Sequence, residues 1–176
     1  MNCRFIPFFV FWAAMCVLFA GIGNQALAGP GQQAQAENVS SLPAAAQASI
    51  SAVLGRDDPS YHAVAQGRGF RAKNTKHDLS ADFTAKGVQV QTGNSRWGLS
   101  LSSYGYGDRL RTVKSVAPDA MDNRVEYRRG AVTEWYVNGP MGLEQGFTLS
   151  RPPYKSGKGP LTLGLKLSGD LAASVD

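Results

Sequence analysis

The chain has 176 residues, 18 Lys and Arg against 13 Asp and Glu, a formal net charge of +5 and two cysteines. Its charges are interspersed rather than clustered with stacking aromatics, which argues against a nucleic-acid surface. A solvated basic face is the simpler reading, with mild attraction to anionic glycans or phospholipid headgroups as the residual option.

The N-terminus opens with Arg4, continues as an apolar run from Phe5 to Ile22 and closes on Ala26-Leu27-Ala28. A positive start, an apolar middle and a small-x-small end predict a signal peptide over residues 1–28, cleaved after Ala28. The rival reading is a membrane anchor, since roughly 17–25 apolar residues span a bilayer. Cys16 follows Met15, a poor context for lipidation, and no Arg-Arg pair marks the twin-arginine route. The expected location is therefore periplasmic, cell-surface or extracellular. Cys3 and Cys16 leave with the signal, so stability must come from a core rather than from disulfides. Residues 29–41 are polar and aperiodic and predict a flexible leader, in which the Asn38-Val39-Ser40 sequon matters only in a eukaryotic secretory route. Residues 42–176 suffice for one domain.

Leu42 to Leu54 predicts the one helix. Ser41 can cap it, Pro43 suits its first turn, and Ala46, Ile50, Val53 and Leu54 share a face. Gly55 sits where a left-handed C-terminal residue is wanted, and Asp57-Asp58-Pro59 stops continuation. From Tyr61 onward the period is two. Short strands are expected at Tyr61–Ala65 and Gly69–Ala72. Leu79/Ala81/Phe83, Val88/Val90 and Trp97/Leu99/Leu101 then alternate with polar or small residues. A Gly/Tyr corner spans Tyr104–Asp108, a strand runs Leu110–Val116, and a loop is expected at Arg151–Pro160. Leu161, Leu163, Leu165 and Leu167 give the cleanest alternation. Strands at short spacing with no intervening helices predict an all-β fold, an antiparallel β-sandwich or open barrel with one short N-terminal helix. A last strand-like run, Leu171–Asp176, reads as an edge strand or as the start of a truncated one.

Asn123–Leu149 is the densest stretch. A two-residue turn at Arg129-Gly130 would set Glu134 opposite Val125, on the same face as Tyr127 and Val132. A three-residue loop, Arg128-Arg129-Gly130, places Val125, Tyr127, Ala131, Thr133, Trp135 and Val137 on one face. That register sets Arg124 opposite Glu134, with Glu126, Val132 and Tyr136 alongside, and its cleaner segregation favours it. Asn138-Gly139 is expected to open the next turn. Leu143, Gln145, Phe147 and Leu149 then alternate with Glu144, Gly146, Thr148 and Ser150.

No Walker A loop, HExxH motif, GxSxG elbow, cysteine pair or Asp/Asn-rich calcium loop occurs, so no cofactor and no metal is implied. His62 and His77 read as ordinary surface or hydrogen-bonded histidines. Glu126, Glu134 and Glu144, with Trp97, Trp135, Tyr104, Tyr106 and Tyr136, allow a sugar-stacking cleft flanked by paired carboxylates. Against that stands a plain Arg124–Glu134 cross-strand pair with the tryptophans in the core.

The segments LGRDDPSYHAV (Leu54–Val64), GFRAKN (Gly69–Asn74), RWGLSL (Arg96–Leu101), GYGD (Gly105–Asp108), NRVEYRRGAVTEWYVNGPMGLEQGFTL (Asn123–Leu149) and LSGDLAASVD (Leu167–Asp176) resemble one region. It is the region that precedes the FG-GAP (integrin-α-type) repeats of large exported bacterial proteins. The resemblance implies a β-rich leading domain with no assigned catalytic residues. FG-GAP repeats themselves are absent, so neither calcium binding nor propeller-mediated adhesion carries over, and the chain looks like a fragment or a member reduced to its leading domain. The expectation is a non-catalytic exported module with a structural or interaction role. The alternative is a carbohydrate-binding or carbohydrate-active module using Trp135, Tyr136, Arg124, Glu126 and Glu134. A glycan or a cell-surface protein is the expected partner, nucleic acid is not, and a membrane is met only through an uncleaved signal segment. Oligomeric state is not legible.

Overall fold

The structure is a computed structural model that describes residues 41–153 and 159–171. The signal segment, the Ala26–Ala28 cleavage site, nearly all of the leader, the tip of the loop after Arg151 and the run after Leu171 lie outside the described residues.

Eleven strands follow one helix among these residues. In chain order they are α1 (Ala44–Asp57), β1 (Val64–Gln66), β2 (Gly69–Asn74), β3 (Leu79–Thr84), β4 (Gly87–Thr92), β5 (Ser95–Tyr106) and β6 (Arg109–Thr112). Then come β7 (Asp119–Met121), β8 (Arg124–Arg129), β9 (Val132–Gly139), β10 (Gly142–Leu149) and β11 (Leu161–Gly169). Every pairing is antiparallel. A seven-stranded sheet runs β1-β2-β3-β4-β5-β11, with β6 also on β5; a four-stranded sheet runs β10-β9-β8-β7. β5 is long enough to pair with β4 near its start and β6 near its end, while β11 occupies its other edge.

The sheets pack face to face, which makes the fold a sandwich. One core cluster joins Ala72, Ala81, Phe83, Val88 and Val90 of the large sheet to Val125, Tyr127 and Tyr136 of the small one. The edge of the Tyr136 ring meets Phe83 at 5.2 Å between centroids, a favourable quadrupolar arrangement. A second cluster joins Leu101 and Tyr104 to Val132 and Phe147, with Leu163 against it. The alternations expected from Leu79 to Leu101 point inward as read.

Five local expectations are corrected. The helix runs to Asp57, and its buried residues are Ser51 and Gly55, whereas Ile50, Val53 and Leu54 are exposed. Close approach of backbones, rather than apolar area, docks this helix: a Cβ on Gly55 would collide with the Asn138 carbonyl oxygen and Asn123 Nδ2, and one on Gly139 with Ser51. Gly55 is therefore a contact residue inside the helix and not its left-handed end. Asn138-Gly139 does not turn; β9 continues through both, and Pro140-Met141 make the turn with Gly142 at positive φ. Tyr61 closes a short 3₁₀ turn instead of opening a strand, and the strand expected over Leu110–Val116 ends at Thr112, where residues 113–118 cross to the small sheet.

Candidate functional site

The β8–β9 hairpin sets the faces of the dense stretch, and its register differs from both expectations. Arg129 pairs with Val132, Tyr127 with Glu134 and Glu126 with Trp135, around a two-residue turn at Gly130-Ala131. Gly130 takes φ 74°, the position a type II′ turn gives to glycine. β8 faces as read, but β9 is inverted relative to the three-residue loop and shows the faces of the two-residue alternative: Val132, Glu134 and Tyr136 point inward, while Thr133, Trp135 and Val137 point outward. Arg124 therefore does not meet Glu134. Both faces of β9 carry apolar residues, so alternation alone does not decide the register. The interior decides it, because it supplies partners for a buried carboxylate.

Glu134 is fully buried. One oxygen accepts from Arg129 Nη1 at 2.7 Å; the other accepts from the Tyr136 hydroxyl at 2.7 Å and from Gln145 Nε2 at 3.0 Å. The Arg129 guanidinium also lies 4.7 Å from the Tyr127 ring centroid. Burying a carboxylate this deep is costly unless its oxygens are paired and hydrogen-bonded, as both are here. Burial, then the nearby Glu134 charge, pushes the hydroxyls of Tyr127 and Tyr136 far above the ordinary tyrosine value. Tyr136 is thus a donor in the core and not a sugar platform.

The outer face is arranged around Trp135, which stands between Glu126 and Gly146 in the ladder. The indole lies across Gly146, where a Cβ would run into the ring. Trp135 Nε1 donates to Thr148 Oγ1 at 3.2 Å, and the Arg124 guanidinium sits 4.6 Å from the ring centroid. Arg124 Nε donates to Glu126 at 2.7 Å, and Arg128 holds the other Glu126 oxygen at 2.8 Å while reaching Asp119 at 2.9 Å. Burial raises the Glu126 pKa, but the two guanidiniums outweigh it and hold the carboxyl below its usual range. Glu144, on the same face, is shifted upward by burial, which Arg124 only partly offsets.

Of the five expected site residues, Arg124, Glu126 and Trp135 come together outside, and Glu134 and Tyr136 come together inside. Glu126 and Glu134 project from adjacent strands to opposite faces of one sheet, so they cannot flank one glycosidic bond. Glu144 joins the outer group, and Gln145 and Arg129 join the inner one. His62 and His77 make separate backbone contacts, with the carbonyls of Arg56 and Pro140. Among the described residues no three His, Cys, Asp or Glu side chains gather to hold a metal, and no helix is long and apolar enough to cross a membrane. No protein-family model matches the chain, and no curated protein or solved structure matches it either.

Proposed function

We propose that this chain is an exported, non-catalytic β-sandwich that serves as a structural or interaction module, the leading domain of a cell-surface or extracellular protein of the FG-GAP type. The observation that carries the non-catalytic part is the division of the meander's carboxylates. Glu134 is consumed by Arg129, Tyr136 and Gln145 in the core, and both oxygens of Glu126 are held by arginines. Neither is left as a base or nucleophile poised against a substrate. The export part rests on the Arg4 to Ala28 pattern, and the FG-GAP part on the segments that resemble such proteins.

A second reading, carbohydrate recognition, is favoured by Trp135. An indole laid flat on a sheet, with Arg124, Glu126 and Glu144 around it, has the apolar plate and polar rim that sugars select. Stacking there requires Arg124 to swing off the ring, a contact of about 0.5–1 kcal/mol at an exposed site.

Expression in a secreting bacterium tests the export part: the mature product should begin at Gly29, and a membrane-bound product retaining Arg4 would refute it. Pull-down on insoluble polysaccharides, comparing the wild type with Trp135→Ala, tests the binding face. Loss of retention with an unchanged circular dichroism spectrum supports a sugar surface. Absence of retention by the wild type removes the carbohydrate reading and leaves the scaffold role.

A further inference from the structure

A cleft of about 350 Å³ opens where the crossover after β6 passes from the large sheet to the small one. Its lining includes Tyr104 of β5, Arg111 and Thr112 of β6, Lys114 of the crossover, and Arg128 and Arg129 at the end of β8. Four of these side chains are cations, and among the described residues no carboxylate lines the cleft. Arg111 lies opposite Tyr104 in the β5–β6 ladder and so shares its inward side. Arg129 follows Val125 and Tyr127 on the inward side of β8. Cations from two sheets thus border one space, and their mutual repulsion there is lowered when an anion enters.

The neighbouring acids only partly relieve this. Arg128 is held by Glu126 and Asp119, and Arg129 by Glu134, all from outside the cleft. Lys114 is exposed and has no carboxylate within ion-pair distance among the described residues. The Arg129 side chain is only 5% exposed and is held by Glu134, so it borders the cleft as a fixed wall. Guanidinium groups match the flat, two-oxygen edge of a carboxylate or sulfate. The Thr112 hydroxyl adds a group that can both donate and accept. The volume is at the small end for ligand pockets and suits one terminal unit better than a buried chain.

We propose that this cleft binds an oxyanion carried on a sugar, the carboxylate or sulfate of an acidic glycan. The cleft specifies the anion; its carrier rests on the reading of the chain as an exported surface module. Because Arg128 also holds Glu126 beside Trp135, the cleft adjoins the outer face of the small sheet.

Calorimetric titration of the full chain with a sulfated disaccharide, a uronate disaccharide, a neutral disaccharide and inorganic sulfate tests the proposal. The acidic sugars should bind, weakening as salt rises, and the neutral sugar should not. Inorganic sulfate should bind more weakly than either acidic sugar. Lys114→Ala should weaken acidic-sugar binding on the order of tenfold, about 1.4 kcal/mol, and Lys114→Arg should retain it. Lys114 is exposed, so the circular dichroism spectrum should not change. No binding of either acidic sugar, or binding unaltered in both Lys114→Ala and Arg111→Ala, overturns the proposal. Sulfate binding as tightly as the sugars overturns the glycan carrier. Acidic-sugar binding that survives Lys114→Ala but is lost in Trp135→Ala overturns the cleft while leaving the surface-module reading intact. Retention of the protein in the cytoplasm overturns that reading whatever the cleft binds.

Discussion

Asn74 and Asn138, 64 positions apart in sequence, meet side chain to side chain at 2.9 Å in the interior. Asn138 Nδ2 also donates to the carbonyls of Tyr61 and Lys73, and Asn74 Nδ2 donates to the carbonyl of Gly139. Asn123 completes the cluster, donating to the carbonyls of Ala52 and Asn138. Three asparagines thereby tie the helix, the chain entering β1, the end of β2 and the central hairpin together, at a place where apolar packing is thin.

Asn138→Ala should therefore be costly out of proportion to its size. It strands two part-buried carbonyls and one buried amide donor, each worth about 1–3 kcal/mol when fully unmet. The expected loss is about 3 kcal/mol, read from urea unfolding monitored by tryptophan fluorescence. A loss below about 1 kcal/mol would mean that water replaces the side chain freely.

Gly55 reverses the usual helix rule. Inside a helix, Gly→Ala ordinarily stabilises by about 0.8–1 kcal/mol. Here the added methyl would strike the Asn138 carbonyl and Gly139 Cα, so the helix must lift from the hairpin. Gly55→Ala should destabilise the domain by about 1–3 kcal/mol in thermal or urea unfolding, as overpacking does. In contrast, Leu54→Gln, on the exposed side, should stay within about 0.5 kcal/mol of the wild type.

Glu126 and Glu144 should give opposite pH signatures. Burial opposes ionisation of Glu126, but Arg124 and Arg128 prevail and its folded pKa is depressed. Its contribution is fully present above the unfolded glutamate value and is lost as pH falls through the folded one. Glu126→Gln should be less stable than the wild type at pH 7, and the difference should close in acid. Burial of Glu144 raises its folded pKa, so its charged form weighs against folding and that penalty is relieved as pH falls through the raised value. Glu144→Gln should be no less stable than the wild type at pH 7, with any gain vanishing in acid. Unfolding curves from pH 3 to pH 7 decide both.

Much of the fold was legible because one face of each strand is apolar. Ala81/Phe83, Val88/Val90 and Leu99/Leu101 pointed inward as the period of two required. β9 was not legible, since Val132 and Tyr136 on one side and Trp135 and Val137 on the other balance its two faces. What breaks the tie is the set of inward partners for Glu134, and Arg129, Tyr136 and Gln145 come from three different strands. The helix misled for the opposite reason: its apolar residues are real, but the contact is made by Ser51 and Gly55, too small to mark a face. Asn138-Gly139 has the composition of a turn, and only long-range partners turn that asparagine into a buried joint. The favoured register places Arg124 and Glu126 on the outer face, where they lie, but it puts Trp135 in the core and Glu134 and Tyr136 outside, and all three are on the opposite side.

The assignment of β9's two faces is tested most directly by the unfolding free energies of Glu134→Gln and Trp135→Ala, measured side by side in urea. Glu134→Gln leaves Arg129 buried without its counter-charge and should cost about 3 kcal/mol or more. Trp135→Ala removes a half-buried outer ring and should cost no more than about 2 kcal/mol, with the native circular dichroism spectrum retained. The reverse order, with Trp135→Ala unfolding the domain and Glu134→Gln nearly silent, would put the tryptophan in the core and the carboxylate in solvent, and would contradict the arrangement described.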